Sequence, residues 1–398
     1  MTTTLSALTE PVGSPQTRAS FAPGRLGEFL AVGGLTPVFF FVSWLLRSVL
    51  GLDAADYAVG FTFFYGAYLI NDPHFTVTYL LFYRDFRSRA FGRTFASGQR
   101  ARYRIAGIAA PLALASWALA ALALRSAPAL GFLIQTMFLL VGWHYVKQGF
   151  GVLVVLSARR GVRFTARERA VLLVHAYAAW AYAWASPADP GRLLEEKGVV
   201  YQSIPHSLFL EHLTGVVFLA TIAPLAWVLV AKWKREGARL ITPIMTGLAA
   251  FLFSTWAWTI YSSIDPLVRY AIPALHSVQY LYFVWLLRHG EAKEREGVPW
   301  FEPPGVKLGL LAAGALGLGV LLFHLVPSAL DGALVPGSSR DTALGATPCF
   351  AALYAFVNLH HFFMDAVLWR RENPEMRLLT AARPAAEDAR SSAADPLT

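Results

Sequence analysis

Apolar blocks, each about as long as one bilayer crossing, follow one another along this chain and leave little choice of fold. A helix needs roughly 20 apolar residues to cross the hydrocarbon core. Ten blocks of that size run over residues 27–50, 57–83, 105–125, 130–157, 169–186, 211–231, 240–263, 267–288, 308–326 and 346–369. Apolar residues make up 56% of the chain and charged residues 15%, with a mean hydropathy of +0.47. Soluble domains carry about 25% charged residues, so a cytosolic enzyme, a disordered regulator and a secreted module are all excluded. The expected fold class is all-α, a polytopic transmembrane helical bundle of about ten spans over 27–370. Flexible cytoplasmic segments are expected at 1–26 and 371–398.

The connectors give the direction of each span through the bias of Lys and Arg toward the cytoplasm. Residues 84–104 hold seven Arg against one Asp, and 159–169, 232–239 and 288–307 are also basic. The alternate connectors, 51–56, 126–129, 187–210, 264–266 and 327–345, are short or nearly neutral. Strict alternation places both termini in the cytoplasm. It also accounts for the net charge of +9 without a nucleic-acid partner. Residues 1–20 have no signal-peptide pattern, so the first span is expected to direct insertion. A single cysteine, Cys349, excludes intrachain disulfides and cysteine-cluster metal sites. The connector 187–210 is expected to lie along the membrane surface.

Imidazoles inside a membrane span are costly and need a reason. Four of the ten expected spans carry such groups at one depth: His74 in NDPHF, His144 in WHYVKQG, His276 in LHSVQY, and His360 with His361 in NLHHFFMD. All four spans run toward the cytoplasm, and the next arginines, Arg84, Arg159, Arg288 and Arg370, follow by 10, 15, 12 and 9 residues (the last counted from His361). At 1.5 Å per residue those offsets are roughly 15, 22, 18 and 14 Å, so packed helices can bring the rings to one point. Imidazole suits iron, copper, zinc and nickel, and one His from each of several helices is how a bundle builds a metal site. Asp365, four residues after His361, is placed to orient a ligand ring, and Lys147 to pair with Asp365. Asn71, Asp72, Gln148, Gln279, Tyr280 and Asn358 add polar atoms at similar depth. His175, His206, His212, His289 and His324 lack the depth match and stay outside the expected site. Trp256, Trp258, Tyr261, Tyr270, Tyr280, Tyr282 and Trp285 are candidates for the wall of an apolar pocket.

LHSVQYLYFVW and NLHHFFMDAVLWR resemble the His-bearing spans of the Brp/Blh-type bacterial β-carotene dioxygenases. NDPHF and WHYVKQG are similar to the earlier His motifs of that family, in the same order along the chain. The resemblance covers about 50 of the 398 residues. It implies a membrane enzyme of bacterial inner-membrane type. Non-haem iron (Fe2+) would be held by His74, His144, His276 and one of His360 and His361, with O2 and a lipid-soluble polyene as substrates. The chain departs from the family where Tyr280 replaces a second His, where Thr78 and Gly149 replace acidic residues, and in its greater length.

The leading functional expectation is a non-haem iron oxygenase, with other transition metals open, acting on a lipophilic isoprenoid, carotenoid or acyl-chain substrate. Asp365 and Tyr280 would serve at the centre. Two alternatives use the same residues: a His/Asp-based metal or proton transporter, and a bis-His haem membrane protein. Hydroxylation, desaturation and oxidative cleavage all remain open.

Overall fold

The computed structural model describes residues 25–66, 69–185, 190–236, 247–261, 266–294, 304–335 and 343–380. Its helices in chain order are α1 (Leu26–Leu50), α2 (Leu52–Gly66), α3 (Asn71–Tyr83), α4 (Phe86–Phe91), α5 (Ser97–Ala123), α6 (Ala127–Arg159), α7 (Ala166–Ala185), α8 (Leu208–Glu236), α9 (Gly247–Ile260), α10 (Pro266–Glu294), α11 (Gly305–Leu334), α12 (Pro348–Leu368) and α13 (Met376–Thr380). Six of these, α1, α5, α6, α8, α11 and α12, are long and apolar enough to cross a membrane.

The other four expected spans take different forms. The block 57–83 is divided between α2 and α3. Asn71, Asp72 and Pro73 open α3, a composition suited to a helix start: an acid favours the positive end of the dipole, and proline lacks only an N–H that the first turn leaves unpaired. Helix α7 is alanine-rich and less apolar, and α10 is long but ends in charged residues. The described part of 240–263 is the shorter helix α9, since 237–246 lie outside the described residues.

The connector 187–210 departs from an all-helical reading. Leu193–Glu196 and Val199–Gln202 pair as an antiparallel hairpin. Its two turn residues, Lys197 and Gly198, have φ of 52° and 81°, the left-handed pair that a two-residue hairpin requires. Val199 and Tyr201 point inward and pack with Leu130, Leu133, Ile134 and Ala351 from α6 and α12. The loop before α12 holds the turn: Val200 N–H donates to Ala343 O (2.7 Å) and the Thr347 hydroxyl to Lys197 O (2.7 Å). Gly345, at φ 64°, lies so close that a Cβ there would be 2.0 Å from Gly198 O. Gly345→Ala is therefore expected to destabilise the fold by about 2 kcal/mol or more, read as a lower unfolding temperature in detergent.

The opposite end of the bundle is rich in arginine. Part of the tail expected to be flexible is folded here: α13 packs with Leu379 buried. Arg159 donates to the carbonyls of Leu378 and Leu379, and Asn373 donates to those of Val367 and Leu368. Tyr103 O–H donates to Asn373 (2.9 Å), and Arg89 pairs with Glu375. Near the N-terminus, buried Glu28 accepts from Tyr282 O–H (2.8 Å) and Arg160. Residues 1–24 and 381–398, the rest of both expected flexible segments, lie outside the described residues.

Candidate metal centre

Four imidazoles meet inside the bundle. His74 comes from the second half of the first turn of α3, His144 from the middle of α6, His276 from α10 and His361 from α12, and all four are buried. One ligand atom from each lies within 4.8 Å of the other three. The Nε2 atoms approach closely in sequence: His361 to His74 3.1 Å, His74 to His276 3.2 Å, His276 to His144 3.2 Å. The rings meet edge-on, the His74 and His276 planes at 90°.

Local structure aims these rings. Pro73 places the start of α3, and with it His74, inside the bundle. Pro273 lies within α10, one turn before His276 and Ser277, and the Ser277 hydroxyl donates to Pro273 O (2.6 Å). The same hydroxyl oxygen lies 3.1 Å from His74 Nδ1, and Asn71 O lies 3.2 Å from it. An Nδ1–H directed at these acceptors leaves His74 Nε2 with its lone pair toward the centre. Gln148 on α6 donates to His276 O (3.3 Å) and to Gln279 (2.8 Å), tying α6 to α10 at this depth. Among the described residues, the Nδ1 atoms of His276 and His361 are buried without a hydrogen-bond partner, so Nε2 is the polar atom of each ring that meets other groups.

Asp365 closes the ring of donors. Its Oδ2 lies 3.2 Å from His361 Nε2 and 3.7 Å from His144 Nε2, between the two ends of the imidazole series. Its Oδ1 accepts from Tyr280 O–H (2.9 Å) and from Trp369 Nε1–H (3.1 Å). Tyr280 is also 2.6 Å from the Thr78 hydroxyl. One carboxylate oxygen is thus occupied by two donors while the other faces the centre, an arrangement that orients ligands in metal sites.

The donor chemistry fits a metal ion. Bonds of about 2.0–2.1 Å to one ion place neighbouring nitrogens about 3 Å apart, as found here. Protons alone serve these contacts poorly, because His74 Nε2 faces two other Nε2 atoms while its own proton is engaged at Nδ1. The four-His group can therefore hold a metal ion, with Asp365 Oδ2 beside it.

His360, one of the expected ligand candidates, is outside the group. Its Nε2–H donates to Ala106 O (2.9 Å), and its Nδ1 accepts from Tyr79 O–H (2.9 Å). The reason is a widened turn at Ile105–Ala109, where Ala110 N–H bonds to Ile105 O. The next carbonyl, that of Ala106, would need the N–H of residue 111, which is a proline. His360 satisfies that carbonyl in place of the backbone. His360→Phe is expected to cost about 1–3 kcal/mol of stability through an orphaned buried carbonyl while leaving metal content unchanged, which thermal unfolding and elemental analysis would separate.

Lys147 does not pair with Asp365; its ammonium lies over the Trp143 ring at 4.4 Å. His175 meets Thr221 and Trp256, and His324 bonds Asp72 at 2.8 Å. Ser277 and Trp369 are contacts that the sequence reading did not single out. Their signals were a hydroxyl next to His276 and an indole one turn after Asp365.

A chamber of about 360 Å³ abuts the centre. His74 and His276 line it, with Asn71 and Asn358 as its carboxamides, and the remaining wall is largely aromatic and aliphatic, including Phe75, Met137, Trp180 and Phe362. Of the aromatic run considered for a pocket wall, Trp258 lines this chamber. Tyr261 and Tyr270 are exposed, Tyr282 bonds Glu28, and Trp285 stacks on His289. No family model, curated protein or solved structure matches the chain.

Proposed function

We propose that this protein is a membrane metalloenzyme, a non-haem iron oxygenase that acts with O2 on a lipophilic substrate. In this reading the chain crosses a bacterial-type inner membrane ten times with both termini in the cytoplasm. The observation that carries it is the convergence of four imidazole Nε2 atoms at one point, two of them, those of His74 and His276, on rings that line an apolar chamber. His74, His144, His276 and His361 would hold the ion, and Asp365 would orient His361 and His144. Tyr280 and Trp369 would hold the carboxylate. Bound Fe2+ would supply O2 chemistry, since imidazole ligands leave positive charge and open positions on the metal. The residues around it exclude bulk water and present an isoprenoid, carotenoid or acyl chain to the centre. The resemblance of the four His motifs to the Brp/Blh-type dioxygenases points the same way.

A bis-His haem is disfavoured, because nitrogens 3.1–3.2 Å apart leave no gap for a macrocycle between them. A His/Asp metal or proton transporter is favoured by one feature, the interruption between α2 and α3 just before His74, since transporters place broken helices at their sites. Protein loaded with Fe2+ in nanodiscs separates the two. Oxygen uptake that requires both the metal and added β-carotene or acyl lipid is expected. Metal-dependent flux in proteoliposomes without oxygen uptake would replace the enzyme by the transporter.

A further inference from the structure

The position of the chamber relative to the four-His centre restricts what can be bound, a point that rests on the oxygenase reading above. Along each helix, the lining residues lie level with the His or displaced toward the hairpin end. On α6 they run from Met137 to Tyr145 around His144, and on α12 from Tyr354 to Phe362 around His361. On α10, Ile272 and Pro273 precede His276. Phe138 is six residues from His144 and Tyr354 seven from His361, so the chamber extends about 9–10.5 Å from the centre.

The other side of the centre is closed. Asp365, Tyr280 and Thr78 form a hydrogen-bonded layer there, and Trp369 donates to Asp365 from behind it. Beyond Trp369 lies a separate small cavity of about 20 Å³, lined by Arg84, Glu291 and Glu375 among others. His74 and His276, two of the four imidazoles, are thus the floor of a blind chamber.

Its mouth is also identifiable. Among the lining residues, Phe138 on α6 and Trp184 on α7 are exposed, at 45% and 37%. Trp184 lies one residue from the end of α7 and packs on His206 at 4.1 Å. An aromatic pair of this kind suits the level where lipid headgroups meet hydrocarbon. Trp180, one turn deeper, is fixed by donating to Leu139 O (2.7 Å), and its ring occupies the space left by Gly142.

We infer that the substrate is a lipid with one free hydrocarbon end, inserted tail-first from the hairpin-end leaflet past Phe138 and Trp184. The carbons presented to the centre are those near that end. A long symmetric polyene cannot place its middle on this floor, because half of the molecule would have to pass through the Asp365–Tyr280–Thr78 layer. Attack near a chain end or an end group is the outcome this geometry allows, and central cleavage is not.

Photo-crosslinking tests the inference without relying on turnover. Two palmitoyl probes, one with a diazirine at the chain terminus and one with it at mid-chain, are added to the full-length protein in nanodiscs. The labelled residues are then mapped by mass spectrometry. The terminal probe should label the floor, at Phe75, Tyr145 or Phe362, and the mid-chain probe the mouth, at Phe138 or Trp184. Ala183→Trp, which fills the space beside the mouth, should reduce both by about tenfold or more, with unchanged metal content showing that the bundle is intact. Equal labelling of the floor by both probes, labelling of Tyr280 or Trp369 beyond the floor, or no labelling of the chamber would overturn the inference. Oxygen uptake is measured on the same sample, so a failure of the oxygenase reading registers separately from a failure of tail-first binding.

Discussion

Replacing His74, His144, His276 or His361 by alanine is expected to remove bound metal from the purified protein. Each substitution deletes one of four converging nitrogens and leaves a void at the centre. Coordination by three imidazoles can persist in a site built for it, but here the ring of contacts is continuous. His74 lies between His361 and His276, and His276 between His74 and His144. The two central members should show the largest losses. His360→Ala is the internal control: it changes a buried imidazole on the same helix, one residue from His361, and should retain the metal. Elemental analysis of the five variants after size-exclusion chromatography reads this directly. Equal retention in all five would remove the four-His group from consideration as a metal site.

Asp365→Ala is expected to weaken metal affinity by about 10–100-fold, the range for losing a group that orients ligands. The loss has two parts. The carboxylate charge next to the centre disappears, and His361 and His144 lose the oxygen that lies between their Nε2 atoms. Tyr280→Phe should have a smaller effect, less than about tenfold, because Trp369 still donates to the carboxylate. Competition for the metal against a chelating dye gives both affinities. A Tyr280→Phe loss larger than the Asp365→Ala loss would mean that the phenol itself, not the carboxylate, acts at the centre.

Much of the candidate site is legible in the sequence. Counting residues from each imidazole to the next arginine measures depth, because both the helix rise and the basic boundary are fixed by physics. That arithmetic brought four histidines together from helices separated by up to 287 positions. It did not choose between His360 and His361. Adjacent helical residues point about 100° apart, and which one faces the centre depends on how the neighbours pack. The signal that would have decided it was Pro111, which leaves the Ala106 carbonyl in need of a side-chain donor.

Two parts of the fold are less legible in the sequence for a different reason. The hairpin at 193–202 carries a Lys-Gly turn and inward Val199 and Tyr201, but its alternation is too short to stand out in the sequence. The division of the second block at Gly66 and Asn71 was written in Asn-Asp-Pro, a helix-start pattern set within an otherwise apolar run. Hydropathy averaged over a span does not register such a break. Neither feature changes the depth of His74, so the clustering of imidazoles does not depend on them.

X-ray absorption at the metal edge of protein purified after growth with iron tests the central claim most directly. One metal per chain is expected, with a first shell of nitrogen or oxygen at about 2.0–2.2 Å. Outer-shell scattering should correspond to four imidazole rings and decrease by one ring in any variant of the four histidines that still retains metal. A chain without metal, or a metal whose imidazole scattering is absent or unchanged in His361→Ala, would contradict it.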